Sequence, residues 1–313
     1  MLTNFNISII LLCMTNFIPQ KPELKPDAKK ACIEISKITK APCFVFIINE
    51  VPAMIDENIY MAICQNKDKL NKGKLLNIIM FSYGGNIHSA YKIMKILRNR
   101  FESIHVYVVN QAKSAATFMC LGGDEIILAE WSELGPLDSQ HKSPADPQRV
   151  ISALESFKAL ESIRKFTLET FDSTMLHFLA RSGLTMIEAI PHVTNLVGKI
   201  VEPLFNNFDV HRLGDYVRSL EIAQDYGTRI MAGSYKSKND VDRHLILFSL
   251  IWNYPSHGQV IDFDECIKLG LNARLTNDDE EKILQEIKKS VDNTLYVGII
   301  TEEDENEKTS GTP

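Results

Sequence analysis

The sequence predicts an α/β fold: a parallel sheet with crossover helices, carrying a large all-helical insertion. Three observations predict it. Short runs rich in β-branched residues alternate with helix-period segments between residues 43 and 138. Glycine pairs or small residues punctuate the changes between strand and helix: Gly84-Gly85 and Ser114 lead from strand to helix, and Gly122-Gly123 closes a helix before the next strand. From Arg149 to about residue 253 the strand signals fade and apolar residues recur at helical spacing.

Taken in order, Asp27 to Thr39 places Ala28, Ala31, Ile35 and Ile38 on one side of a helix, which Pro42 follows. Cys43 to Ile48 is a buried-type strand and Ile55 to Gln65 a helix, followed by a polar loop over Asn66 to Lys74 that reads as exposed. Leu75 to Ser82 is the next strand. Ile87, Ala90, Ile93, Met94, Leu97 and Phe101 mark one face of a helix, and Ile104 to Asn110 is again a strand. Ala115 to Leu121 is a small-residue helix, and Glu125 to Ala129 a strand ending at Leu134-Gly135-Pro136-Leu137-Asp138. His141 to Gln148 is a polar, proline-bearing loop. Val150, Ala153, Leu154, Phe157, Leu160, Ile163 and Phe166 then form an apolar stripe, and further helices fit 171–182, 185–197, 212–232 and 239–251, with breaks near Gly183, Pro203 and Gly233. Asp262 to Leu271 is a short helix, Leu271 to Leu275 a short strand and Asp278 to Asp292 an amphipathic helix. The last thirteen residues lack large apolar groups and are expected to be disordered.

Parallel strands share one carboxyl edge, where ligands of such sheets bind. The Gly84-Gly85, Ser114 and Gly135-to-Asp138 turns all fall there. A glycine pair can turn backbone N–H groups toward an incoming oxygen, and a serine at a helix start sits beside further free N–H groups. These are parts of an acyl-transfer site. Ser114 alone is equally a helix N-cap, and Gly84-Gly85 alone is equally a turn; the argument rests on their order.

That order carries a resemblance. Ser-Tyr-Gly-Gly-Asn at 82–86, Gln-Ala-Lys-Ser-Ala-Ala-Thr at 111–117 and Ser-Glu-Leu-Gly-Pro-Leu-Asp-Ser-Gln at 132–140 resemble the serine dehydrogenase proteinase family. That family is a Clp/crotonase-fold relative of the signal peptide peptidases and of the Clp protease proteolytic subunit. Pro-Ser-His-Gly at 255–258 and Asp-Glu-Cys-Ile-Lys-Leu-Gly-Leu at 264–271 fit the end of the same core. The resemblance covers residues 41–138 and 255–275.

It implies a repeated β-β-α core with a parallel sheet, and a serine peptidase that needs no cofactor and no metal. Ser114 would be the nucleophile, the N–H groups of Gly85 and Ala115 the oxyanion hole, and Gly84 and Asn86 substrate-binding residues. For the base it leaves two readings open. The Clp subunit places its histidine where this chain has Asp138 and its aspartate near Gly258, so His257 with Asp138 would give a triad with acid and base exchanged. Signal peptide peptidases use a lysine from beyond the nucleophile's helix, and Lys142, Lys158 and Lys165 lie in range. A lysine base must be desolvated to lose its proton near neutral pH. The resembled families also work as rings or stacks, which implies a homo-oligomer acting on a peptide or protein substrate. The rival readings are a crotonase-type acyl-CoA enzyme and a catalytically inactive oligomeric scaffold. No basic cluster for the CoA phosphates lies near the Gly-Gly turn.

The chain accordingly divides into an N-terminal extension with one helix (1–40), a protease domain (41–275) containing the helical insertion 149–253, and a C-terminal helix with an acidic tail (276–313). Of 313 residues, 45% are hydrophobic and 24% charged, as in ordinary globular proteins. The net charge is −6, and the tail from Thr301 sets five acids against Lys308, which accounts for −4 of it. Basic residues are not clustered with aromatics, so no nucleic-acid partner is expected. The six cysteines (13, 32, 43, 64, 120 and 266) show neither CxxC nor Cys-His ligand spacing, which points to a reducing, cytoplasmic setting and away from zinc. Residues 1–20 carry no charged side chain, yet they lack the basic start of a secretory signal, and Thr3, Asn4, Asn6, Thr15 and Asn16 interrupt a spanning helix. A packed or weakly membrane-associated extension is expected there; were it an anchor, Lys21, Lys25, Lys29 and Lys30 would keep the catalytic body on the cytoplasmic side.

Overall fold

The computed structural model describes residues 24–50, 52–67, 70–142, 150–206 and 209–301. Residues 1–20, residues 143–149 and the acidic tail beyond Thr301 lie outside that set, and with them the expectations of a packed or membrane-associated extension, of most of the proline-bearing loop and of a disordered tail. The chain forms two compact units, Met1–Leu137 with Ala223–Pro313, and Asp138–Ile222.

The first unit is α/β with a mostly parallel seven-stranded sheet. Its strands are β1 (Cys43–Ile48), β2 (Gly73–Ser82), β3 (Phe101–Ala112), β4 (Glu125–Leu128), β5 (Glu133–Leu134), β8 (Ala273–Leu275) and β9 (Leu295–Ile300). The spatial order is β8-β4-β3-β2-β1-β9, with β5 beside the end of β3. All pairs are parallel except β1 with β9. β1 is buried on both sides along its whole length, which explains its unbroken apolar sequence. One sheet face, including Val45, Ile47, Ile79, Phe81, Tyr107, Val109 and Ile127, packs with helices α1 (Pro26–Thr39) and α10 (Asp278–Ser290). The alternate residues are equally buried, and α3 (Ile87–Arg98) and α4 (Ala115–Leu121) contact β3. Helix α2 (Glu57–Asn66) packs on α3.

Most elements fall within two or three residues of their expected bounds, and the departures have physical causes. β9 is a strand that the sequence does not predict: Leu295–Ile300 is apolar, but its register is set against β1, some 250 positions earlier. The helix before β3 stops at Arg98 and Phe101 heads the strand, because its ring is buried. The loop expected to be exposed before β2 contains Leu70, which is fully buried.

The second unit holds the antiparallel pair β6 (Gln140–Lys142) and β7 (Val150–Ser152), then helices α5 (Ala153–Ser182) and α6 (Met186–Phe205). Ala189, Val193, Val197 and Val201 of α6 pack with Met175, Ile163 and Phe171 of α5. Gly183 ends α5 in a left-handed C-cap, as the sequence suggests. Pro203 does not break α6, and Gly233 does not break α7 (Val210–Ser234). Packing overrides local propensity at both: Val201 is buried beside Pro203, and next to Gly233 the Ser234 hydroxyl donates to the Leu121 carbonyl at 2.7 Å. The chain continues through α8 (Asp240–Phe248), a π-helical turn (Ser249–Asn253) and α9 (Phe263–Lys268). Among the described residues no helix is long and apolar enough to cross a membrane.

Candidate active site

The carboxyl ends of β2 and β3 build the site. Ladder register between them runs Met80↔Val108 and then Ser82↔Ala112, so β3 carries two extra residues just before Ser114. Such a bulge re-aims the chain that follows. Its carbonyls are satisfied from the next loop: Ser132 Oγ donates to Val108 O at 2.6 Å and Trp131 Nε1 to Val109 O at 2.9 Å.

Beyond the bulge the chain turns sharply into α4. The Ala116 N–H closes onto the Lys113 carbonyl at 2.9 Å, which makes residues 113–116 a β-turn. Ser114 sits at its first central position with φ 51° and ψ −118°. Those angles are the type II′ combination, a place dominated by glycine. A residue with a Cβ held there costs on the order of 1–3 kcal/mol. Ser114 occupies the N-cap position of α4, as expected, but its side chain makes no capping hydrogen bond, and its Oγ has no hydrogen-bond partner among the described residues.

The Gly84-Gly85 turn fits against this serine. Gly84 has φ 102°, and a Cβ placed on it would stand 2.9 Å from Ser114 Cβ and 3.2 Å from Ala115 N. Gly85 has φ 142° and lies against the backbone of Ile55, with which it forms an isolated parallel bridge. The Ile55 N–H donates to Gly84 O at 2.8 Å, and the Asn86 N–H to Ile55 O at 2.7 Å. The N–H groups of Gly85 and Ala115 meet no acceptor among the described residues. Asn86 N-caps α3, its Oδ1 accepting the Ser89 N–H at 3.0 Å. Ser114 is half-buried, whereas Gly85 and Asn86 are exposed.

His257 is half-buried in the loop after the π-helical turn. Four residues later that loop is tied to the same corner: Ile261 exchanges backbone hydrogen bonds with Leu134, which in turn pairs with Ala112. Asp138 opens the second unit. It is buried, and its Oδ2 accepts the Ser152 hydroxyl at 2.5 Å. Of the lysines in range, Lys165 is largely exposed and pairs with Glu169 at 3.8 Å, which removes it as a desolvated base. Lys158 is half-buried.

Reading the sequence alone missed the residues that surround the serine turn. Lys113 is buried, with Nζ 2.5 Å from Glu133 Oε1 and 3.1 Å from Leu134 O. Thr117 Oγ1 donates to Ala112 O at 2.6 Å and accepts the Gly135 N–H at 3.1 Å. The available signal was a lysine beside the candidate nucleophile, inside an otherwise apolar stretch. Among the described residues no group of three or more His, Cys, Asp or Glu side chains is arranged to hold a metal ion. In comparison with known proteins, no family model and no curated sequence matches this chain.

Proposed function

We propose that this protein is a serine peptidase of the Clp/crotonase type, with Ser114 as nucleophile. The observation that carries the reading is a serine in a glycine's backbone conformation, its hydroxyl uncapped, against a glycine pair. An ordinary cap or turn gains nothing from that strain; a nucleophile held at the apex of a strand-to-helix turn does.

In the proposed reaction Ser114 Oγ attacks the scissile carbonyl carbon while its proton passes to His257. The oxygen of the tetrahedral intermediate takes hydrogen bonds from the N–H groups of Gly85 and Ala115, which have no competing acceptor among the described residues. Collapse breaks the C–N bond and the amine departs with the proton from His257. Water then hydrolyses the ester by the same route in reverse. Gly84 and Asn86 border the approach of the peptide. Asp138, the expected third member, belongs to the second unit, where its Oδ2 accepts the Ser152 hydroxyl; the proposal rests on Ser114, Gly85, Ala115 and His257.

A serine-directed fluorophosphonate tests the reading. Labelling is expected on the peptide containing Ser114 and is expected to vanish in Ser114→Ala. Labelling elsewhere, or peptidase activity surviving that substitution, would overturn it and leave the acyl-CoA and scaffold readings. His257→Ala should lower the acylation rate by roughly 10²-fold or more, the scale of a lost general base. Unchanged acylation in His257→Ala would exclude it as base and make Lys158 and Lys142 the next substitutions.

A further inference from the structure

Taking Ser114 as the nucleophile, we propose that Lys113 is a positioning residue: the ion pair of its buried ammonium with the half-buried Glu133 locks the serine turn in its strained conformation.

A strained backbone persists only where its surroundings leave no way to relax. Here both flanks of Ser114 are fixed. On the N-terminal side, the Lys113 N–H donates to Ser82 O on β2 at 3.0 Å, its carbonyl closes the turn onto Ala116, and its ammonium reaches Glu133 and Leu134 O on β5. Backbone and side chain of one residue are therefore anchored to two different strands. On the C-terminal side, Thr117 ties the first turn of α4 to Ala112 O and to Gly135. A flip of the peptide planes around Ser114 would break one of these anchors.

The chemistry of the pair favours direction over stability. A buried lysine costs desolvation, and an apolar pair of the same size would fill the space without that cost. The ammonium adds a fixed direction, because it must meet a carboxylate and a carbonyl at once. Room for the stem comes from Gly135, where a Cβ would stand 2.5 Å from Lys113 Cδ. The lock and the glycine turn also touch, since a Cβ on Gly84 would come 2.5 Å from the Lys113 carbonyl oxygen.

The test uses two perturbations. The double variant Lys113→Met/Glu133→Gln removes the pair while leaving no buried charge unpartnered. Gly135→Ala keeps the charges and displaces the stem. Crystal structures of both should show Ser114 relaxed from φ 51° to a negative φ. Fluorophosphonate acylation per folded molecule should fall roughly 10²-fold, the scale expected for a misplaced reacting group. Peptide KM should stay within about twofold, since binding contacts are untouched. Retention of the positive φ in both variants would overturn the lock, as would acylation at the wild-type rate. If the wild-type protein fails to label at Ser114, the peptidase reading falls while the crystallographic readout still decides whether Lys113 and Glu133 hold the turn.

Discussion

Gly84 and Ser114 interlock: a methyl group on the glycine would stand 2.9 Å from the serine Cβ and 2.5 Å from the Lys113 carbonyl oxygen. The two loops are thus in contact, and a change in one is felt in the other. Gly84→Ala meets backbone on one side and adopts a strained φ of 102° on the other. It is expected to cost on the order of 1–3 kcal/mol in unfolding free energy and to abolish labelling of Ser114. Normal stability and labelling together would show that the loops can part freely.

Strain at Ser114 predicts a trade-off. Ser114→Gly should relieve the backbone at φ 51° and raise the unfolding free energy by about 1 kcal/mol, after the entropic penalty of glycine, while ending all acylation. Denaturant titration measures the first effect. A loss of stability in Ser114→Gly would mean that no strain is stored there.

Glu280 gives the first unit an acid-sensitive anchor. Burial raises its pKa, but Arg274 at 2.7 and 2.8 Å, the Asn277 N–H at 3.0 Å and the Tyr107 hydroxyl at 2.9 Å more than offset that and hold it below the usual value. A carboxyl with a depressed folded-state pKa contributes stability above its unfolded pKa of about 4.3, and loses it as pH falls through the folded value. Glu280→Gln should therefore be less stable than wild type at neutral pH and should show a flatter decline below about pH 4.3. Parallel declines in the two proteins would contradict this, with urea midpoints across pH as the measurement.

The cysteines should divide sharply toward alkylating reagents. Burial pushes the Cys32 and Cys266 thiols up to about 12 and raises those of Cys43 and Cys120 as well. Cys64 is half-buried. Among these five, native-state iodoacetamide at mildly alkaline pH should modify Cys64 alone, with the others reacting after denaturation. Native modification of Cys32 or Cys120 would show that the core opens.

Self-association is proposed from the second unit, where Leu176 (70% exposed), Ile187 (81%) and Leu196 (49%) of the α5 and α6 helices face outward. Where such side chains join into one contiguous apolar surface, that surface marks an interaction site. Light scattering on the full chain should report more than one subunit, and Ile187→Lys should lower the mass. A clean monomer at micromolar concentration would exclude it.

The parallel strands and their crossover helices were legible in the sequence because each signal is local. β1 reads as a strand from six consecutive apolar residues, and α4 was bounded correctly by Ser114 and the Gly122-Gly123 pair. The convergence of Gly84 and Ser114 was also foreseeable, since parallel strands place successive turns on one edge. Tertiary structure decided the rest. β9 needed β1 as its partner, and Gly233 stays helical because Ser234 is anchored to Leu121. The left-handed φ of Ser114 and the meeting of Lys113 with Glu133, twenty positions apart, depend on β5 lying beside the end of β3. Sequence periodicity records which face of an element is apolar; it does not record which distant group meets a buried charge or holds a strained turn, because those depend on how strands are ordered in the sheet.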